Sequence, residues 1–238
     1  MAVYCCSDIH GKYKLFQKIK EFIQPHDTVY FLGDAADRGS EGYQIIKEIA
    51  KNPQFKYIKG NHEDMLVKAG IDFYKYGDTD RDYHLLISNG GYDTFNDMLA
   101  DPAGEMLIYH LRRLPTHLEY TNTNGIRCFL SHAGFNPILC EDNKEILFPS
   151  DYDLMWNRDH YYSCYEYDGN LANSVVIHGH TPIPYLAEDI NISQWARNPG
   201  PLWYDHHSKI CLDNMSFSTN MIYLLNLDTF EYRTFSSY

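Results

Sequence analysis

The chain has 238 residues, 44% of them hydrophobic, and a formal net charge of −12 at pH 7. Proteins that bind nucleic acid gain most of their affinity from lysine and arginine, so this charge argues against a nucleic-acid partner. No run of about eighteen apolar residues occurs, and residues 2–6 are too few for a signal-peptide core, so we expect a cytoplasmic protein without a membrane partner. Length and composition predict one domain over residues 1–238, and scattered cysteines predict reduced thiols.

The N-terminal third alternates short apolar runs with helical patterns. Apolar runs at residues 3–6, 29–32 and 55–58 are typical of buried strands, and each leads into a polar cluster that contains glycine. Between the strands, apolar residues recur at the spacing of one helix face: Leu15, Phe16, Ile19, Phe22 and Ile23, and then Tyr43, Ile46, Ile49 and Ala50. The order β-α-β-α-β predicts parallel strands joined by crossover helices.

The rest of the chain is predicted to be helical first and then rich in strands. Residues 64–115 have a helical pattern that is interrupted at Asn89, Gly90 and Gly91. Strand-like runs separated by turn residues follow, at 118–120, 126–130, 175–177, 209–212, 221–227 and 230–235. These elements predict an α/β fold of two packed mixed β-sheets flanked by helices.

Five polar clusters follow predicted strands directly. They contain the oxygen and imidazole donors Asp8, His10, Asp34, Asn61, His132, His178 and His180. Each residue alone is ordinary for a loop, but parallel strands place their carboxyl ends at one edge of a sheet, where the clusters would meet. Mixed oxygen and nitrogen donors suit manganese, iron or zinc better than calcium. The pattern therefore predicts a transition-metal site.

The order of the motifs resembles a known family. DIHG, GDAADRG, GNHED, SHAG and HGHTP occur between residues 8 and 182, as in the calcineurin-like metallophosphoesterases. GD-x-x-DRG together with GNHE is similar to the phosphoprotein phosphatases, the serine/threonine protein phosphatase family, and the later WNR and CLDN stretches resemble its small bacterial and phage branch. The resemblance implies the metallophosphoesterase αββα sandwich.

The resemblance also implies a centre of two divalent metal ions, with manganese expected first and iron or zinc as alternatives. A hydroxide between the ions would be the nucleophile, because two cations lower the pKa of water. The implied ligands are Asp8 and His10 for the first ion, Asn61, His132 and His180 for the second, and Asp34 for both.

The remaining catalytic roles are also implied by the resemblance. His62 would be the general acid, oriented by a hydrogen bond to Asp37, although it could instead only support the ligands. Arg38, Arg158 and Asn61 would bind the substrate phosphate, since a guanidinium offers a planar pair of donors to phosphate oxygens. For Arg158, a surface ion pair is the alternative interpretation.

Two features depart from the family pattern or stay open. His178 stands where the branch usually has an apolar residue, so we expect an outer or core histidine there and not a metal ligand. Tyrosines are frequent around Arg158, at Tyr152, Tyr161, Tyr162, Tyr165 and Tyr167, and they could line a substrate cleft or simply cover a loop.

The sequence therefore predicts a metal-dependent phosphomonoesterase, a serine/threonine or dual-specificity protein phosphatase, that acts on a phosphoprotein or a small phosphomonoester. The alternative is a symmetrical dinucleoside tetraphosphate hydrolase, which the same motif order serves, although runs of lysine and arginine for a polyphosphate are missing. Net charge and Pro182, in place of a further histidine, disfavour a phosphodiesterase or nuclease. An inactive binding scaffold is disfavoured because the expected ligands and His62 are all present. The oligomeric state is not predicted.

Overall fold

The first β-sheet brings together both ends of the chain. The computed structural model describes residues 1–77, 81–135, 138–139, 146–158, 173–189, 199–205 and 207–238. Strands β1 (Val3–Cys6), β2 (Thr28–Phe31) and β3 (Phe55–Tyr57) are parallel, as predicted, and β11 (Met221–Asn226) and β12 (Tyr232–Ser236) add antiparallel to the edge at β1. The sheet order is β12-β11-β1-β2-β3.

The second sheet begins with a hairpin, which two of the predicted strands form. Its strands are β4 (His117–Thr121), β5 (Arg127–Ser131), β8 (Ser174–His178), β9 (Leu202–Tyr204) and β10 (Lys209–Cys211), in the order β4-β5-β8-β10-β9. Here β5, β8 and β10 are parallel, while β4 and β9 pair antiparallel at the two edges. A separate two-stranded ladder joins β6 (Ile138–Leu139) to β7 (Ile146–Leu147).

Helices connect and cover the sheets. Among the described residues they are α1 (Tyr13–Phe22), α2 (Gly42–Lys51), α3 (Asn61–Tyr76), α4 (Arg81–Ser88), α5 (Tyr92–Ala100), α6 (Gly104–Arg112), α7 (Asp151–Trp156), α8 (Ile183–Asp189) and α9 (Ser216–Thr219). The predicted break in the helical region is present between α4 and α5, where Gly90 has a φ of 88°. Such a left-handed backbone suits glycine because it has no Cβ.

Alternation along the strands divides the core into layers. In β1, Val3 and Cys5 face the second sheet, whereas Tyr4 and Cys6 face the helices outside the first. The space between the sheets is filled by aliphatic side chains and cysteines from both, including Leu32, Leu130 and Ile177. The predicted fold of two packed mixed sheets flanked by helices is confirmed, whereas one domain over residues 1–238 stays a prediction.

Four of the six cysteines are described: Cys5, Cys6, Cys128 and Cys211 are buried free thiols, as predicted. Cys140 and Cys164 lie outside the described residues, as do Tyr161, Tyr162, Tyr165 and Tyr167. Among the helices that the structure describes, none has the length and apolar character needed to cross a membrane.

A buried carboxylate ties the first turn of α3 to the loop after β2. Glu63 Oε1 accepts the backbone N–H groups of Ala35 (3.0 Å) and Ala36 (3.2 Å), and Oε2 accepts those of Asp34 (2.8 Å) and Gly60 (3.0 Å). Four backbone donors therefore converge on one fully buried side chain. This bond set fixes the path of two motif loops relative to each other.

We expect Glu63→Gln to lower the free energy of unfolding by about 2 to 4 kcal/mol, because either orientation of the amide turns an NH₂ group toward two buried N–H donors. Urea denaturation measures this change. The matched control is Glu21→Gln, on the exposed face of α1, which should shift the free energy by less than about 0.5 kcal/mol. Equal effects of the two variants would contradict the role given to the Glu63 carboxylate.

Candidate metal centre

The predicted site residues converge where the strands of both sheets end. Asp8 and His10 follow β1, Asp34, Asp37 and Arg38 follow β2, Asn61 and His62 begin α3 after β3, His132 follows β5, and His180 follows β8. Six of these residues have left-handed backbones, with φ between 46° and 67°: Asp8, His10, Asp34, Asp37, Arg38 and His180. Non-glycine residues rarely adopt this conformation, and such strain concentrates at functional sites.

His10 presents a buried nitrogen atom to two carboxylates. Its Nδ1 donates to the Ala36 carbonyl at 3.0 Å, which leaves the lone pair of the neutral ring on Nε2. Nε2 lies 3.7 Å from Asp8 Oδ1 and 3.7 Å from Asp34 Oδ2, and no described residue forms a hydrogen bond with it. An unpartnered imidazole nitrogen between two carboxylates fits a metal ligand set.

A second set of donor atoms meets at Asn61. Its Oδ1 lies 2.8 Å from His132 Nε2 and 3.0 Å from His180 Nδ1. The opposite ring nitrogens donate to backbone carbonyls, His132 Nδ1 to Leu32 at 2.8 Å and His180 Nε2 to Trp156 at 3.3 Å. In neutral rings, the atoms that face one another are therefore all acceptors. Three converging acceptors fit a bound cation.

Asp34 lies between the two sets. Its Oδ1 is 3.3 Å from His132 Nε2, and its Oδ2 is 3.7 Å from His10 Nε2. Two groups of side chains could each hold a metal ion, with ligand atoms within 4.8 Å of one another: His10, Asp34 and His62, and Asp8, Asp34 and His132. Asp34 belongs to both groups, which is the position of a shared ligand.

The pKa values show how strongly this cluster attracts positive charge. Burial alone would lower the pKa of His132, but Asp34 and Asp8 overcome this effect and raise it to about 10. Burial would raise the pKa of Asp34, yet His132, His62 and His10 hold it well below its usual value. Buried carboxylates need such compensation, and divalent cations can supply it.

His62 forms a hydrogen-bonded pair with Asp37. His62 Nδ1 donates to Asp37 Oδ2 at 2.7 Å, and both side chains are fully buried. Nε2 then faces the cluster, 3.7 Å from Asp34 Oδ2 and 3.2 Å from Arg38 Nη2. Burial lowers the pKa of His62, but Asp34 and Asp37 outweigh it and the pKa is raised overall. This arrangement favours a proton on the imidazole.

The two arginines lie at the exposed rim of the centre. Arg38 is next to His62, and Arg158 Nη1 donates to Thr181 Oγ1 at 3.1 Å, one residue after His180. Neither arginine pairs with a carboxylate among the residues that the structure describes. Both guanidinium groups are exposed and suited to an anionic ligand.

His178 lies apart from these ligands, in the place expected for a core histidine. Its ring is fully buried, with Nδ1 2.9 Å from the Gly179 carbonyl and Nε2 2.7 Å from the Tyr204 hydroxyl. Burial lowers the pKa of His178 to about 3, so the ring is neutral.

Close backbone approach explains two of the motif glycines. A Cβ atom on Gly60 would lie 2.2 Å from Asp34 Oδ1, and one on Gly179 would lie 1.9 Å from Asp8 Oδ2. Real Cβ atoms do not approach so closely, so side chains at these positions would displace the carboxylates.

Several residues that support the centre were not singled out from the sequence. The Ser7 hydroxyl donates to Asp8 Oδ2, and the Ser216 hydroxyl donates to the Asp8 carbonyl. Glu63 lies inside the GNHED motif and Thr181 inside the HGHTP motif, so the sequence could have indicated that both residues support the centre. Ser216 lies well beyond the last histidine motif, and nothing in its local pattern indicated a contact with β1.

The sequence is similar to those of a known phosphatase and a known dinucleoside tetraphosphatase. Serine/threonine-protein phosphatase 2 of Escherichia coli is 29% identical over 162 residues, which cover 66% of this chain and 68% of that protein. A symmetrical bis(5'-nucleosyl)-tetraphosphatase of Delftia acidovorans is 27% identical over 147 residues, which cover 58% of this chain but only 46% of that relative. The chain thus spans less than half the length of this second protein.

Structure comparison and the family match cover more of the chain. A solved serine/threonine phosphatase from Saccharomyces cerevisiae shares the fold, with a TM-score of 0.56 at 15% identity over 100% of this chain and 80% of that one. The calcineurin-like phosphoesterase family matches residues 1–207, which include every candidate metal ligand described above. The chain therefore belongs to the calcineurin-like phosphoesterase family.

Proposed function

We propose that the chain is a metal-dependent phosphatase that hydrolyses phosphate monoesters, with phosphoserine and phosphothreonine of proteins as its substrate class. The observation that carries the proposal is Asp34, which lies between the His10 nitrogen and the donor atoms around Asn61, beside the buried His62–Asp37 pair. Arg38 and Arg158 at the same rim complete a site for a phosphoryl group. A phosphoprotein or a small phosphomonoester in the cytoplasm is the proposed partner.

The proposed metal ligands follow the two sets of converging atoms. One divalent cation would be held by Asp8, His10 and Asp34, and the second by Asp34, Asn61, His132 and His180. We propose manganese, with iron or zinc as alternatives, because the donors are mixed oxygen and nitrogen. When bound, the ions supply charge neutralisation and an activated water molecule for attack on phosphorus.

The arginines and Asn61 would bind and orient the substrate. Arg38 and Arg158 offer parallel N–H donors, which match two oxygens of one phosphoryl group. The Oδ1 atom of Asn61 faces the imidazoles, so its amide nitrogen is left as a further donor to phosphate. Holding the phosphoryl group in one orientation contributes to catalysis by aligning the attacking and leaving oxygens.

His62 would transfer a proton to the leaving oxygen. Asp37 accepts from Nδ1, which keeps the ring oriented with Nε2 toward the cluster. Burial lowers the pKa of His62, but Asp34 and Asp37 raise it overall, which is the direction that the proposed acid role requires. A positioned acid is needed because an alkoxide is a poor leaving group in its ionised form.

Symmetrical hydrolysis of a dinucleoside tetraphosphate is a second candidate function. It is favoured by the names of several relatives, which are symmetrical bis(5'-nucleosyl)-tetraphosphatases. The same metal ligands and arginines would serve it, since both reactions break a bond between phosphorus and oxygen. We place it second only because the sequence has no runs of lysine and arginine for a polyphosphate, since the relatives support both functions equally.

A substrate panel separates the two functions. We expect turnover of a phosphoserine peptide and of para-nitrophenyl phosphate with added Mn²⁺, and loss of that turnover with a chelator. Diadenosine tetraphosphate and bis-para-nitrophenyl phosphate complete the panel. If diadenosine tetraphosphate releases nucleotide faster than the monoesters release phosphate, the second candidate is favoured. Turnover that continues in the presence of the chelator would contradict metal dependence.

We expect His62→Asn to lower kcat by about 10² to 10⁴ on a phosphate monoester with a poor leaving group, because the proton donor is lost. Manganese content, measured by mass spectrometry of the metal, should stay unchanged. The loss in kcat should be smaller for para-nitrophenyl phosphate, whose leaving group needs less protonation.

The matched control is His26→Asn, an exposed histidine at a distance from the motifs, which should keep full activity. If His62→Asn loses manganese while His26→Asn keeps it, His62 is a metal ligand. That result would contradict its role as the acid.

A further inference from the structure

The segment after β10 folds back over the metal centre. The short helix α9 (Ser216–Thr219) lies between two residues with left-handed backbones, Met215 with φ 59° and Asn220 with φ 52°. The Ser216 hydroxyl donates to the backbone carbonyl of Asp8, and its side chain is fully buried. This bond anchors α9 to the carboxyl end of β1, so the next side chain, Phe217, is held at the rim.

Phe217 touches two residues of the site. Its partly buried ring meets His10 edge to face, with 5.7 Å between ring centroids and an interplanar angle of 85°. The Arg38 guanidinium carbon lies 4.6 Å from the centroid of the Phe217 ring. A guanidinium within about 6 Å of an aromatic face is attracted by the ring quadrupole.

Arg38 has few other constraints on its side chain. Its backbone N–H donates to the Gly90 carbonyl at 2.9 Å, which fixes the main chain but not the guanidinium. The guanidinium contacts His62 Nε2 at 3.2 Å and forms no ion pair with a carboxylate in the part of the chain that the structure describes. The Phe217 ring is therefore a main restraint on where this exposed cation points.

An aromatic support has a different consequence from a carboxylate support. A carboxylate would occupy the N–H donors of Arg38 and neutralise its charge, so it would compete with phosphate. An aromatic face attracts the cation through its flat side and leaves the N–H edge and the charge available. Ordering the side chain before phosphate binds also reduces the entropy lost on binding.

We infer that Phe217 is a positioning residue, which holds the Arg38 guanidinium ready for the phosphoryl oxygens of the substrate. The inference rests on the proposed function, in which Arg38 binds phosphate. His10 does not depend on Phe217 for its orientation, because it is buried and bonded to the Ala36 carbonyl at 3.0 Å. Loss of the ring should therefore weaken phosphate binding and spare the metal.

The test compares Phe217→Ala, Phe217→Leu and Phe217→Tyr in the manganese-loaded protein. For Phe217→Ala we expect the KM for para-nitrophenyl phosphate and the inhibition constant of inorganic phosphate to rise about 3- to 10-fold, the scale of a partly desolvated cation–π contact. The value of kcat and the manganese content should change less than 2-fold. Phe217→Leu should behave like Phe217→Ala, since it keeps apolar volume without a ring, and Phe217→Tyr should restore binding.

A double-mutant cycle with Arg38→Ala tests whether the ring acts through that arginine. In the Arg38→Ala background, Phe217→Ala should add no further loss of phosphate binding. Phe22→Ala is the matched control, because the Arg233 guanidinium carbon also lies 4.6 Å from the centroid of the Phe22 ring, away from the site. Loss of the Phe22 ring should leave KM unchanged.

Additive effects, restoration by leucine, or loss of manganese from Phe217→Ala would overturn the inference. The proposed function can fail separately. If Arg38→Ala leaves phosphate inhibition unchanged, the assignment of Arg38 fails and the inference falls with it. If Arg38→Ala weakens phosphate binding and Phe217→Ala does not, only the inference is overturned.

Discussion

The structure depends on compensating a concentration of buried negative charge around Asp34. Asp8, Asp34, Asp37 and Glu63 are each at least 98% buried, and they lie in neighbouring loops of one centre. Carboxylates removed from water are stable only when cations, hydrogen-bond donors or metals replace their hydration. Glu63 accepts hydrogen bonds from backbone N–H groups, and Asp37 accepts one from an imidazole. Asp8 and Asp34 face an imidazole nitrogen that fits a metal ligand.

The fold meets this constraint by bringing loops from two sheets to one edge. Parallel strands β1, β2 and β3 deliver most of the acidic groups, and the parallel strands β5 and β8 of the second sheet deliver His132 and His180. Six site residues in these loops have left-handed backbones, and Glu63 holds two of the loops together. The stability of the loops and the chemistry of the centre thus rest on the same hydrogen bonds.

Local pattern predicted much of this architecture. Alternation and helical spacing placed β1, α1 and α2 within about two residues, because each buries one continuous apolar face. The strand β9 was missed because Pro199, Gly200 and Pro201, directly before it, are typical of a loop. The convergence of motifs was also predictable, since parallel strands end together. The contact between Phe217 and Arg38 could not be predicted. It forms because two segments that are far apart in the sequence meet in the fold, and no local pattern indicates that.

Anomalous diffraction from crystals grown with Mn²⁺ tests the central claim most directly, because it locates each cation relative to named ligand atoms. Two anomalous peaks are expected on either side of Asp34, one contacting Asp8 and His10 and the other contacting Asn61, His132 and His180. No peak within this cluster at saturating Mn²⁺, or one ion that does not contact Asp34, would contradict a two-metal centre with Asp34 as the shared ligand.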